Sequence, residues 1–547
     1  MFKKQYITGA FLAVISLFSS CTNLDEEIFS SIPEKDFYKT ESEFLAAMVP
    51  IYSSMRTLTE HSNWWDLEET TDVCVTPVKN HGLWYDGGIY IRLHQHSWME
   101  EDAHLNNIWN ALYSGVSSAN RVLYQFENST IEMNGKENYI AELKVARAFY
   151  YYLLLEAFGN VPIIDRFDVP DGYLPATEPR SKVFEFVESE LKNNINNLSE
   201  DVLNTYGRFN KWNAKMLLAR LYLNAEAWIG TPMYNECENL CNEIIATNKY
   251  RLDGDYSLPF STNNELSNET MFVIPFDETK SGGQIYMWAR KTLHYSQMQT
   301  FNLQATWLDG GCVGVPTFFD NYIEGDKRLE KTWRMGQQYA LDGTPLWTNG
   351  WCGDPQMLLS YTKDVTNISG DATMYQGYRF GKYEIKIGAT GTPDNDYVIM
   401  RYAEVLMMKA ECILRTGGSS QEAAELVNEV RRRNFDTTNE LTGSELEATT
   451  IYNGVPVKYG RFLQELGVEF ALEGLRRSQL IRFDNNFTKG TWWEHQPTND
   501  TKRNLMLIPF DQLQRNSNLV QNPKSVSYTH LRAHERGRNL VCRLLLE

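Results

Sequence analysis

The chain is 547 residues long, 42% hydrophobic and formally −18 in charge. That is ample for a large core, and length alone allows about two to four domains. An acidic balance of this size argues against nucleic acid and against bare anionic lipid, both of which need a positively charged partner. Aromatic residues make up 13%, with 14 Trp and 30 Tyr, an excess that bears on function only where the rings cluster outside the core.

The N-terminus carries Lys3 and Lys4, an apolar run from Ile7 to Phe18, then Ser19 and Ser20 immediately before Cys21. This is the layout of a secretory signal with small residues at the cleavage point. The position of Cys21 resembles the lipobox of bacterial lipoproteins, with Phe18 where Leu is usual. Residues 1–20 are therefore predicted to be a signal peptide, Cys21 a lipidated residue and 21–35 an acidic tether. The plainer alternative is a secreted protein in which Cys21 has no role. The apolar run falls short of the ~20 residues a spanning helix needs.

From residue 36 the pattern predicts an all-α body, a tetratricopeptide-like stack of helix pairs with long irregular loop insertions. "ESEFLAAMVPIYSSMRTL" reads as a helix broken or restarted near Pro50. In "NNIWNALYSGVSSANRVLYQF", Ile108, Leu112, Val116 and Ala119 recur at helical spacing. "ENYIAELKVARAFYYYLLLEAFGNVPII" is a long helix with Val145, Phe149 and Tyr152 on one stripe, ending at Gly159-Asn160. Ser181 is the expected N-cap of the next helix, and "GRFNKWNAKMLLARLYLNAEAW" with "NECENLCNEIIAT" completes a third pair. "DYVIMRYAEVLMMKAECILRTGG" and "SQEAAELVNEVRRR" form a later pair joined at Gly417-Gly418. Ala214, Ala219, Ala403 and Ala410 are small residues that let helices approach closely. The segments at roughly 60–104 and 252–396 are irregular and aromatic, and loops of that length inside a compact body usually serve a function.

The eight cysteines, Cys21, Cys74, Cys237, Cys241, Cys312, Cys352, Cys412 and Cys542, do not make a dense disulfide framework. Cys237 and Cys241 share a helix face with Cβ atoms ~5–6 Å apart, beyond the ~3.8 Å of an unstrained bridge. Both read as small packing residues.

No nucleophile elbow, phosphate loop, zinc-protease helix or dinucleotide fingerprint occurs. His94 and His96 alternate as on one face of a strand, and two His are too few for a metal site, so no metal and no cofactor are expected. Glu465, Glu469 and Glu473 recur every four residues as if on one helix face. They could be a glycosidase pair or, more simply, an ion-pair network with the arginines nearby.

The loop aromatics are the stronger signal. "HSNWWDLEETTD" holds Trp64, Trp65 and Asp66, and "NHGLWYDGGIY" holds Trp84, Tyr85 and Asp86. "GGQIYMWAR" holds Tyr286, Trp288 and Arg290, "TWLDGG" holds Trp307 and Asp309, and "NGWCGD" holds Trp351. Flat rings beside carboxylates and guanidinium groups suit sugars, the ring stacking on the C–H face while the polar groups take the hydroxyls. The plainer alternative is that these rings pin long loops to the body. Trp64, Trp65, Asp66, Trp84, Tyr85, Asp86, Tyr286, Trp288, Arg290 and Trp307 are the candidate ligand-binding residues.

From end to end the chain resembles the SusD/RagB family of Bacteroidota outer-membrane lipoproteins. The matching segments are "IWNALYSGVSSANRVL", "ELKVARAFYYYLLLEAFGNVPII", "RFNKWNAKMLLARLYLN", "NNELSNETMFVIPF", "DYVIMRYAEVLMMKAE", "ELVNEVRRR", "RFLQELGVEFALEGLRRSQLIRF" and "LIPFDQLQRNSNLVQNP". Leu475 stands where the family commonly has His. The resemblance implies a non-catalytic, surface-exposed lipoprotein that captures oligosaccharides, or glycopeptides, and caps a SusC-like TonB-dependent transporter. It also implies that "LDEE" after Cys21 acts as a surface-export signal. It frames 36–524 as one SusD-like domain, with a helical part at about 36–250 and a loop-rich part at about 251–524. Two other classes remain open from sequence: a surface glycoside hydrolase, and a tetratricopeptide-like adaptor that binds only protein. Residues 526–547, after the "QNP" of Gln521 to Pro523, are basic where the body is acidic and resemble translated adapter DNA.

Overall fold

The computed structural model describes residues 40–80, 82–129, 134–280, 287–304, 308–391 and 393–523. Cys21, the tether, Tyr286, Trp307 and the 526–547 tail lie outside the described residues.

Thr40 opens the first helix, Glu41–Ser53, with a capping box closed by Glu43. Pro50 sits inside this helix and does not break it; the chain tightens into a 3-10 segment only at Ser54–Thr59. Four longer helices follow, Ala103–Asn128, Lys136–Ala157, Arg180–Asn194 and Lys211–Leu223, each packed on its predecessor. Ile108, Leu112, Val116 and Ala119 are buried as their spacing requires. Gly115 sets the closest approach in the first pair: a Cβ there would lie 2.2 Å from the Tyr150 ring. The helix Lys136–Ala157 stops at Gly159, whose φ of 69° suits glycine. The next helix begins at Arg180 with Pro179 as its cap, so Ser181 lies inside it and does not cap it. Pro179 holds the extended N-cap position, and no side-chain cap hydrogen bond forms there.

The helix Tyr234–Ala246 packs against both Lys211–Leu223 and Tyr402–Thr416. Neighbours in the stack are thus separated in sequence by the whole excursion from Thr247 to Arg401. The excursion is closed at its base by an antiparallel pair, Thr270–Ile274 with Tyr397–Arg401. "YVIMR" is therefore strand, and the helix predicted to begin in "DYVIMR" starts at Tyr402. Its β-branched residues fit a pleated, buried edge, and the pairing partner decides the matter. Cys237 and Cys241 are buried against Cys412 across this helix junction, all three as free thiols. The remaining strands among the described residues are short two-stranded ribbons within the loops. The whole is a tetratricopeptide-like helical stack with long loop insertions.

The helix Gly460–Glu469 ends before Glu473, so the three glutamates do not share one helix face. They converge all the same. Glu465 meets Arg328 at 2.7 Å and also Arg431. Glu469 meets Arg328 at 3.0 Å and Arg401 and Arg433 at 2.9 Å. Glu473 meets Arg401 at 2.7 Å and Lys382 at 2.5 Å. Arg401 also holds Glu269 at 2.7 Å, which ties the strand base to the helical body. Burial alone would raise the Glu469 carboxyl, but Arg401, Arg433 and Arg328 outweigh it and hold it well below the usual range. These carboxylates are committed to an ion-pair network, the simpler of the two sequence readings.

Candidate ligand-binding face

The loop 60–90 is held in conformations that few side chains adopt. Trp84 has φ 63° and Asp86 φ 38°, followed by Gly87 and Gly88, both also at positive φ. A bulky residue in the left-handed region is an outlier, and such strain concentrates at functional sites. What holds Trp84 there is the segment Asp309–Gly311. The indole Nε1 donates to the Asp309 carbonyl at 3.1 Å. Its ring lies so close over Gly311 that a Cβ there would sit 2.4 Å away.

Arg290 completes the junction. Its Nε donates to Asp309 Oδ2 at 3.0 Å, while the Asp309 amide donates to the Arg290 carbonyl at 2.7 Å. The Arg290 side chain remains 44% exposed. Gly310 carries the contact onward. The Trp351 ring lies beside it, 3.1 Å from where a Cβ would project, and the Gly310 carbonyl accepts from the buried Lys79 ammonium at 2.7 Å. Trp351 in turn stacks near Tyr295, centroids 5.9 Å apart and planes at 31°. Tyr295 is 44% exposed and Tyr85 53%. Trp347 is also exposed, on the strap whose carbonyl accepts from Ser296 Oγ at 2.7 Å.

Sequence-distant rings thus meet along one segment: Trp84 and Trp351 contact Asp309–Gly311, Arg290 holds Asp309, and Tyr85 and Tyr295 are open to solvent. The fold brings the loop at 60–90 to the one around 290–309. Asp86 is exposed on the same turn. Trp288 belongs to the helix Met287–Thr292, but its side chain lies outside the described residues, like Tyr286 and Trp307.

Three candidates do not stand on this face. Trp65 is 2% exposed and packs edge-on to Phe380 at 5.6 Å, so it is a core ring. Trp64 is half-buried against the helical body, lining a cavity with Leu58, Phe149, Tyr152 and Leu475. Sequence placed both in a polar loop, but their 3-10 segment, capped by Asn63, turns inward. Asp66 is buried as well. Its Oδ1 accepts from Lys291 Nζ at 2.9 Å and its Oδ2 from the Ser62 amide at 3.0 Å. Burial opposes its charge, but Lys291 and His104 prevail and keep the carboxyl ionised far below its ordinary range.

His94 and His96 are not on a strand. His94 ends the helix Ile89–His94, and His96 follows at φ 52°. Each Nε2 contacts a backbone carbonyl, that of Trp493 at 2.7 Å and that of Thr70 at 2.6 Å. Tyr295 escaped sequence reasoning because it lies in no ring cluster and only the fold brings it to Trp351; Trp347, four residues before Trp351, was within reach of the sequence.

A family model described as the SusD family matches residues 242–524, and one described as "Starch-binding associating with outer membrane" matches 27–223. The Starch-binding protein SusD of Bacteroides thetaiotaomicron is 25% identical over 502 residues, spanning 83% of this chain and 84% of that protein. SusD-like protein P2 of Formosa agariphila is 24% identical over 536 residues, spanning 95% and 99%. Among solved structures, surface glycan-binding protein A from Bacteroides thetaiotaomicron in complex with laminarihexaose has a TM-score of 0.66 at 19% identity, spanning 88% of this chain and 99% of that one. That likeness shows the shared fold. Two of these three are named as binding proteins, one for starch and one for glycan. With one family model covering more than half of the chain and the fold in agreement, this protein belongs to the SusD family, whose members associate with the outer membrane.

Proposed function

We propose that this protein captures oligosaccharide at the bacterial surface on the face formed by Trp84, Tyr85, Arg290, Tyr295 and Trp351. It then delivers the ligand to a SusC-like TonB-dependent transporter that it caps. The observation carrying this reading is the pair of indoles contacting Asp309–Gly311 with exposed rings and a half-exposed guanidinium alongside. Rings stack on the apolar face of a sugar while Arg290 and Asp86 take hydroxyls. The relatives support the class of ligand. One is named for starch and one structure holds laminarihexaose, both glucose polymers.

The anchor in this reading is the acylated Cys21. Several acyl chains hold a protein to a membrane nearly permanently, each buried CH₂ contributing ~0.8 kcal/mol. Cys21→Ala should release the protein from the outer-membrane fraction, and retention through high-salt and carbonate washes would contradict the anchor. Gentle solubilisation and pull-down under inducing conditions should recover a TonB-dependent barrel. Recovery of no barrel would favour an adaptor or an enzyme.

A further inference from the structure

Behind Trp84 lies a group of side chains that sugar capture does not use. We propose that His61, Asp66 and His104 form a binding site for a divalent cation of the zinc type. One ligand atom from each of the three lies within 4.8 Å of the others, the one such group of His, Cys, Asp and Glu among the described residues. Asp66 Oδ2 is 2.9 Å from His104 Nε2 and 3.7 Å from His61 Nδ1. Two imidazole nitrogens and one carboxylate oxygen are the donor set of a three-ligand site, with small side-chain adjustments bringing them to ~2.0–2.2 Å metal bonds.

His104 supplies the second, independent observation. Its side chain is only 5% exposed, its Nε2 faces Asp66 Oδ2, and its Nδ1 has no hydrogen-bond partner among the described residues. Buried imidazoles are ordinarily satisfied. His104 Nε2 and Asp66 Oδ2, 2.9 Å apart, share a proton as an ion pair, and a cation lying to one side of the line between them can take that proton's place.

The surrounding groups agree with this assignment. Lys291 takes Asp66 Oδ1 and also contacts Glu69. Asp66 Oδ2, which also accepts from the Ser62 amide at 3.0 Å, is the carboxylate oxygen that faces the two histidines. The Tyr90 hydroxyl lies 3.2 Å from His61 Nδ1 and 3.1 Å from its Nε2, with the two rings stacked, so it neighbours the site without singling out either nitrogen. His61 is 36% exposed, which gives the cation an entry path and leaves its open position toward solvent. The His61 ring meets the Trp84 ring edge-on at 5.8 Å, so the cation would also brace the sugar-stacking indole.

The test uses the full chain, stripped with a chelator and titrated with zinc chloride by calorimetry, then with cobalt chloride by absorption. One equivalent of zinc should bind, and cobalt should give d–d bands without a thiolate charge-transfer band. His61→Ala and His104→Gln should each weaken zinc by more than about tenfold, since even outer-shell partners are worth about 10–100-fold. His61 is on a part-exposed loop, so its variant keeps the test informative if His104→Gln does not fold. No stoichiometric zinc, unchanged affinity in His61→Ala, or a thiolate band that Cys352→Ser removes would each overturn the assignment.

Discussion

Trp84 and Asp309 are joined across the binding face, the indole Nε1 donating to the Asp309 carbonyl at 3.1 Å. The indole rests on Gly311, where an added Cβ would come within 2.4 Å of it. Gly311→Ala should therefore displace the ring. Overpacking costs about 1–3 kcal/mol where the surroundings cannot yield, and Trp84 is only partly buried, against Ile89, Tyr90 and Leu93. Paired calorimetry and thermal melts should show glycan affinity falling by about tenfold, near the value of one well-placed aromatic contact, with a small drop in Tm.

Trp65 and Tyr85 separate core from surface. Trp65→Ala should lose about 3–5 kcal/mol of stability, the usual loss for a buried aromatic truncation. Tyr85→Ala should stay within about 0.5 kcal/mol of the parent while weakening glycan binding. Chemical denaturation with an affinity gel on both variants checks this; a stability loss in Tyr85→Ala would make that ring structural.

Glu469 answers to three arginines, so Glu469→Gln strands buried guanidinium charge and should cost about 3–5 kcal/mol. Its folded carboxyl is held far below the unfolded value. A depressed acid contributes stability that is full above its unfolded value, near ~4.3, and is lost as pH falls below that. Melting temperature measured from neutral to acid pH should drop steeply below about pH 4, and the slope should be shallower in Glu469→Gln.

Glu68 behaves in the opposite sense. Burial, partly countered by Arg476 and reinforced by Asp72, pushes its carboxyl up to about 8. The folded state prefers it protonated, so its contribution is full below the unfolded value and is lost as pH rises toward 8. Glu68→Gln should match the parent in acid and be more stable at mildly alkaline pH. Thermal melts across that window check it; a variant less stable throughout would mean the carboxylate itself is needed.

The helix pairs are legible in the sequence because Ile108, Leu112, Val116 and Ala119 repeat at a period only a helix satisfies. The strand Tyr397–Arg401 is not, because its apolar run continues without a break into the helix at Tyr402 and its partner, Thr270–Ile274, is remote. The aromatic loops announce themselves by composition, yet composition cannot separate Trp65, turned into the core, from Tyr85 on the surface. Whether a ring in a polar loop faces in or out depends on the 3-10 segment beneath it. His61 and His104 meet only through tertiary packing, and no spacing rule links residues on a loop and a distant helix.

The most direct test of glycan capture by this face is calorimetry of the parent and a Trp84→Ala, Tyr295→Ala double variant against a panel of α- and β-glucan oligosaccharides, with melts run in parallel. The parent should bind at least one member of the panel. The double variant should lose that binding by about a hundredfold or more, two aromatic contacts at about 1.4 kcal/mol each, while its Tm stays within a few degrees. Parent-like affinity in a folded double variant would contradict the assignment of ligand binding to Trp84 and Tyr295.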